Sequence, residues 1–309
     1  MLLKRLMDNS RISRPLLMLA VLTSVFLAGC GGNTTPTPTP TPTPVVTTLN
    51  LRALMGSSDL AVGGNRLVFA LLGPTGAPVK ASAAKLNISY VQDGSPVPQG
   101  EAQAVFRLWP SGPGGVFTAQ LDFSKAGTWL AQITPVDGEM KDQIARLTMQ
   151  VQQQSVTPAL GASPPASQNR TARDVKSLDE LTSDSNPDPD LYALSIAQAL
   201  EKKQPLVVTF ATPAFCTSAT CGPQVDVLKD LKKAYANRAN FIHVEIYVNP
   251  KEMQGDPSKG RLSPAVDEWA LPSEPWTFII DSQGKVAAKF EGFTSYQELE
   301  DALKPVLPS

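Results

Sequence analysis

The chain has 309 residues, of which 42% are hydrophobic, a net charge of −1, three cysteines and a single histidine, His243. This length has room for about two domains. The charge leaves no electrostatic footprint for nucleic acid, and three cysteines with one histidine are poor material for a zinc site, so no metal, no cofactor and no nucleic-acid partner is expected.

Residues 1–29 begin with Lys4, Arg5, Arg11 and Arg14, continue through an apolar core from Leu16 to Leu27 and end in small residues. This is the layout of a secretion signal, too short and wrongly flanked for a spanning helix. Its end, Leu27-Ala28-Gly29-Cys30, resembles the lipobox of bacterial lipoproteins. That resemblance implies that Cys30 carries acyl chains, becomes the first mature residue and anchors the chain to a cell membrane on its extracytoplasmic side. The plain alternative is an ordinary signal peptide with Cys30 left free or cut away. Residues 30–46 follow as lipidated cysteine and stalk: alternating Thr and Pro up to Pro44 form no core and extend by about 3.1 Å per residue.

From 47 to 152, β-prone runs at 48–55, 66–72, 84–91, 103–109, 115–123, 127–134 and 143–151 are separated by Gly, Pro and Asp. So many short strands without a helix predict an all-β sandwich of immunoglobulin type. It has no Cys or His, and Trp109 and Trp129 read as core aromatics. Residues 153–189 are rich in Gln, Ser, Ala, Pro and Asp and read as a linker, with a short helix at Val175–Leu181.

Residues 190–309 alternate helix and strand, predicting a C-terminal α/β domain. Asp190 is placed to cap a helix from Leu191 to Lys203. Leu206-Val207-Val208-Thr209-Phe210 reads as a strand buried on both faces. After it come Cys216, Cys221 and Gly222-Pro223, then Val225, Leu228, Leu231 and Tyr235 at helical spacing, with Lys232-Lys233 on the solvated side. The cysteines therefore sit where a strand passes into a helix N-terminus, whose free N–H groups favour a thiolate over a thiol. On one straight helix residues five apart lie roughly 140° and about 7.5 Å from each other, whereas a disulfide wants Cα atoms about 4.4 to 6.8 Å apart. The loop must bend before the helix starts. Phe241–Val248 is a second strand, 250–263 a polar loop and Pro264–Leu271 a short helix. Trp276–Asp281 and Lys285–Phe290 are hairpin strands joined by Gln283-Gly284, and Ser295–Leu303 is a last amphipathic helix.

Over 190–307 this order resembles the thioredoxin fold, with its redox loop after the first central strand and a cis-proline before a later one. The resemblance implies a thiol-disulfide oxidoreductase acting on protein thiols or disulfides, with Cys216 and Cys221 as the catalytic pair, Pro275 as the cis-proline, and Glu274, Pro275 and Trp276 along the substrate groove. It does not fix the nucleophile. The helix periodicity after Cys221 matches the stretch that follows the family's second cysteine, which implies Cys216 as the attacking thiol and Cys221 as the resolving one, whereas Cys221-Gly222-Pro223-Gln224 resembles the family's Cys-Gly-Pro-Cys and would give the attacking role to Cys221. The position of the family's buried acid holds Thr209. Three other readings stand beside this one. The pair forms a structural disulfide in a lipid-anchored binding module; or the chain is a peroxiredoxin-like peroxidase, against which Pro213 stands where those enzymes need a threonine; or it is a Cu(I) chaperone, whose histidine would have to be His243.

Overall fold

The computed structural model describes residues 51–110 and 114–308. The expected signal peptide, Cys30 and stalk lie outside the described residues. Among those described, no helix is long and apolar enough to cross a membrane.

The first half is built from β1 (Arg52–Met55), β2 (Gly63–Leu72), β3 (Ala83–Gln92), β4 (Ser95–Leu108), β5 (Gly115–Phe123), β6 (Gly127–Pro135) and β7 (Ala145–Val151). The all-β expectation holds: the seven strands join in one antiparallel sheet in the order β1-β2-β5-β4-β3-β6-β7. The sheet curls until its ends meet. Just before β2, Val62 donates its N–H to the Gln152 carbonyl (3.0 Å), and the Gln152 N–H donates back to Leu60 (2.8 Å), giving a nearly closed barrel. Strand alternation explains the interior: in β7 Leu147, Met149 and Val151 point in while Arg146, Thr148 and Gln150 point out. Trp129 is buried between Tyr90 and Phe123, with ring centroids 5.4 and 5.0 Å away, and its Nε1 donates to the Lys125 carbonyl (3.0 Å). Trp109 is only half-buried at the end of β4, so of the two tryptophans one is core and the other is not.

The second half contains α1 (Ile196–Glu201), β8 (Leu206–Ala211), α2 (Cys221–Tyr235), β9 (Asn240–Glu245), α3 (Pro250–Met253), α4 (Pro264–Glu268), β10 (Trp276–Ile280), β11 (Val286–Glu291) and α5 (Tyr296–Leu303). Its sheet runs β11-β10-β8-β9, with β8 and β9 parallel and the other pairs antiparallel. Every residue of β8 is buried. Val207 and Ala211 pack with Val225, Leu228 and Leu231 of α2 and Leu299 and Leu303 of α5. Leu206, Val208 and Phe210 pack on the opposite face with Ile196, Ala265, Val266 and Trp269. That two-sided burial is why β8 reads as an unbroken apolar run.

The helix expected from Leu191 is shorter. A 3-10 turn at Pro189–Tyr192 is capped by Asp188, and α1 starts only after Ser195, whose side chain forms a capping box with Gln198. A Ser three residues before a Gln outweighs an Asp without that reciprocal partner. The polar loop 250–263 contains the single turn α3 and a 3-10 turn at Pro257–Lys259.

The stretch 153–189 lies along the α/β part as a strap. Gly161 donates to the Val286 carbonyl (2.8 Å) and Val286 to Ala162 (2.9 Å), extending the edge of β11. Ser167 accepts from Trp269 Nε1 (3.0 Å), and Arg170 donates to the Val248 carbonyl (2.8 Å). Lys229 pairs with Asp184 (2.6 Å), while Lys232 pairs with Asp188 (2.7 Å) and Asp190 (2.6 Å). The face assigned to solvent at Lys232 is thus partly covered, while Lys233 stays exposed with Asp230.

The barrel and the α/β part meet through charged side chains. Asp59 receives Lys289 Nζ at 3.0 Å and Thr157 Oγ1 at 2.6 Å. Arg66 bonds Glu298 (3.1 Å) and the Glu291 carbonyl (2.9 Å), and Ser58 N–H donates to Glu291 (2.6 Å).

Candidate redox site

Beyond Ala211, the last residue of β8, the chain makes two tight turns. Phe215 N–H donates to Thr212 (3.2 Å) and Ala219 N–H to Cys216 (3.3 Å). Ala219 adopts φ of 56°, a left-handed conformation that non-glycine residues seldom take. This is the bend that the spacing demanded. It brings the Cys216 and Cys221 Cα atoms to 5.9 Å, and the two form a disulfide. Cys221 is the first residue of α2 and fully buried, whereas Cys216 is half-buried in the loop. Ser218 Oγ lies 3.1 Å from Cys216 Sγ and 2.7 Å from Thr220 Oγ1.

Opposite stands the loop between α4 and β10. The Glu274–Pro275 peptide is cis, and a carboxylate oxygen of Glu274 and the two sulfurs all lie within 4.8 Å of one another. Burial, followed by the charge of Glu245 at the end of β9, pushes the Glu274 carboxyl up to about 7. Glu245 is itself raised, because burial outweighs the hydrogen bonds it accepts from the Ser183 N–H and hydroxyl, both at 2.8 Å. Ser273, next in the same loop, donates to Glu291 (2.5 Å) and accepts from Trp276 Nε1 (3.0 Å). Through Glu291 the barrel residue Ser58 reaches this loop.

The structure therefore brings Cys216, Cys221, Glu274 and Pro275 together. Trp276 departs from expectation: it is 2% exposed and stacks on Phe278 at 5.6 Å, packing beneath the loop instead of lining a groove. Two other expectations change. Gln224, the position a Cys-Gly-Pro-Cys register would give to a second thiol, is buried and accepts from the Thr294 N–H at 2.7 Å. His243 stands outside the cluster, its Nδ1 facing Tyr192 Oη (2.7 Å) and its Nε2 the Ala211 carbonyl (3.1 Å). Both ring nitrogens are engaged, so the copper reading loses its histidine. Thr209 meets Thr277 across the sheet at 3.0 Å, with no acid at that point.

Residues 192–307 match the family model described as a thioredoxin-like domain. This part of the chain is a thioredoxin-like domain. No curated protein matches the chain. Among solved structures, a Chlorobium tepidum protein provisionally described as thiol:disulfide interchange protein DsbE is 15% identical, covering 35% of this chain and 84% of its own, with a TM-score of 0.29. A thioredoxin-family thiol:disulfide interchange protein of Chlorobium tepidum TLS is 21% identical over 37% of this chain and 85% of its own, with a TM-score of 0.28. A superoxide reductase (neelaredoxin) of Ignicoccus hospitalis is 14% identical over 34% and 81%, with a TM-score of 0.22.

Sequence reasoning missed Glu245, although an acid inside the run Phe241–Val248 was a visible signal. It also missed Ser58 and Glu291, which carried no signal because their meeting is a long-range contact.

Buried His243 gives the thioredoxin-like domain a pH dependence. Burial, only partly offset by the bond to Ala211, lowers its pKa from 6.5 to about 4. The unfolded chain therefore binds the extra proton first as pH falls. Stability is complete above about 6.5 and declines toward pH 4, by up to about 3 kcal/mol. Urea unfolding of His243→Gln should show a flatter dependence between pH 7 and 4, and parallel curves for the two proteins would count against this.

Proposed function

We propose that the chain is a membrane-anchored, extracytoplasmic thiol-disulfide oxidoreductase that works through Cys216 and Cys221 on protein thiols or disulfides. The observation that carries this reading is one half-exposed and one buried sulfur, joined at the head of α2 and facing a cis-proline. The thioredoxin-like domain at 192–307 supports the class of partner. Exposure supports Cys216 as the attacking thiol, because an incoming substrate reaches its sulfur before that of Cys221. In the reductive direction the Cys216 thiolate attacks a substrate disulfide and releases one substrate thiolate. Cys221 then attacks Cys216 Sγ, closing the pair and releasing the second; two electrons pass from the dithiol to the substrate, and oxidation of a substrate runs the same steps backwards. Pro275 and the Glu274 backbone form the wall against which the substrate strand lies. Anchoring through Cys30 rests on the lipobox resemblance, with the Thr/Pro stalk as spacer.

Equilibration of the mature chain with glutathione or dithiothreitol buffers, followed by thiol counting, tests the reading. A potential between roughly −270 and −120 mV is expected, the range of exchange catalysts. A value below about −300 mV would mark a structural bridge, and the chain would then be a lipid-anchored binding module.

A further inference from the structure

We propose that Glu274 is the proton acceptor for the buried resolving thiol, Cys221, and returns that proton to the departing substrate thiolate. The proposal rests on the oxidoreductase reading and assigns one of its proton steps. A fully buried thiol cannot pass its proton to bulk water, and as a thiol it is a poor nucleophile. An acceptor must therefore lie beside it. Thr209 and Thr277 on the strands below the site bond each other and hold no carboxylate. His243 is engaged at both nitrogens. Glu274 alone among these puts a titratable oxygen within 4.8 Å of both sulfurs, a separation that one water bridges.

The surroundings suit the task. Glu274 faces the two cysteines from the redox loop and α2, and Glu245 and Tyr247 from the end of β9 and the segment after it. Burial and the nearby negative charge of Glu245 hold its affinity for protons near neutrality, where a group both accepts and donates readily. Its loop is held in place by the Ser273 to Glu291 bond.

The step balances as follows. With Cys216 already joined to the substrate sulfur, Cys221 S–H gives its proton to the Glu274 carboxylate. The resulting thiolate attacks Cys216 Sγ, the Cys221–Cys216 bond forms, and the Cys216–substrate bond breaks. The substrate leaves as a thiolate and takes the proton from the Glu274 carboxylic acid. Glu274 ends as it began.

The test uses the reduced full chain mixed with glutathione disulfide, acid-quenched and followed by mass, so that formation and resolution of the mixed disulfide are read separately. Glu274→Gln should form the mixed disulfide within about twofold of the wild-type rate but resolve it at least about 100-fold more slowly, without the wild-type rise in resolution rate around pH 7. Glu274→Asp should recover part of both the rate and that rise. Resolution by Glu274→Gln at the wild-type rate and with the wild-type pH profile overturns the proposal. So does equal loss of both steps in the Gln and Asp variants, which would make Glu274 a support for the loop. A wild-type chain that forms no mixed disulfide at all removes the oxidoreductase reading itself.

Discussion

Cys221→Ser should abolish disulfide exchange while leaving Cys216 able to capture a substrate. Thiol-disulfide exchange proceeds through a mixed disulfide that the second thiol must break. In this chain the second thiol is the buried one at the start of α2. A hydroxyl there cannot attack sulfur, so a covalent complex through Cys216 should persist and appear by mass as one substrate chain per protein. Cys216→Ser should lose turnover as well and capture nothing, because the remaining thiol is 0% exposed. Accumulation in Cys216→Ser instead would assign attack to Cys221 and restore the Cys-Gly-Pro register. Turnover that survives in both variants would remove the pair from the chemistry.

The largest effect on stability should come from Asp59→Ala. The Asp59 side chain is 0% exposed and that of Lys289 12%. Besides the ammonium, the carboxylate accepts from Ser155 Oγ, Val156 N–H (3.0 Å) and Thr157 Oγ1 (2.6 Å). Burial alone would raise its pKa, but these hydrogen bonds and the Lys289 charge bring it down to about 2. Deleting the carboxylate strands the Lys289 ammonium in a site with little water, a loss of about 3 to 5 kcal/mol. The midpoint of urea unfolding measures it, and Asp59→Ala with Lys289→Met should recover much of the loss, since a buried pair exchanged for apolar groups is often neutral. A single-variant loss below about 1 kcal/mol would mean that water already screens the pair. Because the folded pKa lies below the unfolded value of 3.8, the contribution is complete above pH 4 and fades as pH falls toward 2. Lys289 lies on β11 and Asp59 in the barrel, so the same variant weakens the contact between the two parts.

What could be read from the residues followed the range of the interaction. The runs that became β2 to β7 and β8 to β11 were visible because strand alternation and two-sided burial leave local patterns. The cysteine pair at a strand-to-helix junction stood out for the same reason, whereas the cis bond at Pro275 was implied only by the resemblance to the thioredoxin fold. The sheet order of the barrel was not visible, since short alternating strands serve two packed sheets and one curled sheet equally well. Ser195 and Gln198 were a readable capping box passed over for Asp190. The environment of Glu274 depends on Glu245 from another strand and on a disulfide from another loop, and no local pattern announces such a meeting. The strap shows the opposite failure: its composition is that of a linker, yet Ser167, Arg170 and Asp184 are each spoken for by the α/β part.

That strap separates the unit of homology from the unit of folding. The family match begins at Tyr192, but Trp269 finds its hydrogen-bond acceptor at Ser167, Glu245 its donor at Ser183, and the edge of β11 its next backbone partner at Ala162. A chain cut at the homology boundary would keep every residue of the redox site and lose the polar partners that let its supports stay buried. Transplanting the activity into another protein therefore means carrying residues from about 157 onward, and comparisons drawn on the matched span alone will understate what makes this domain fold.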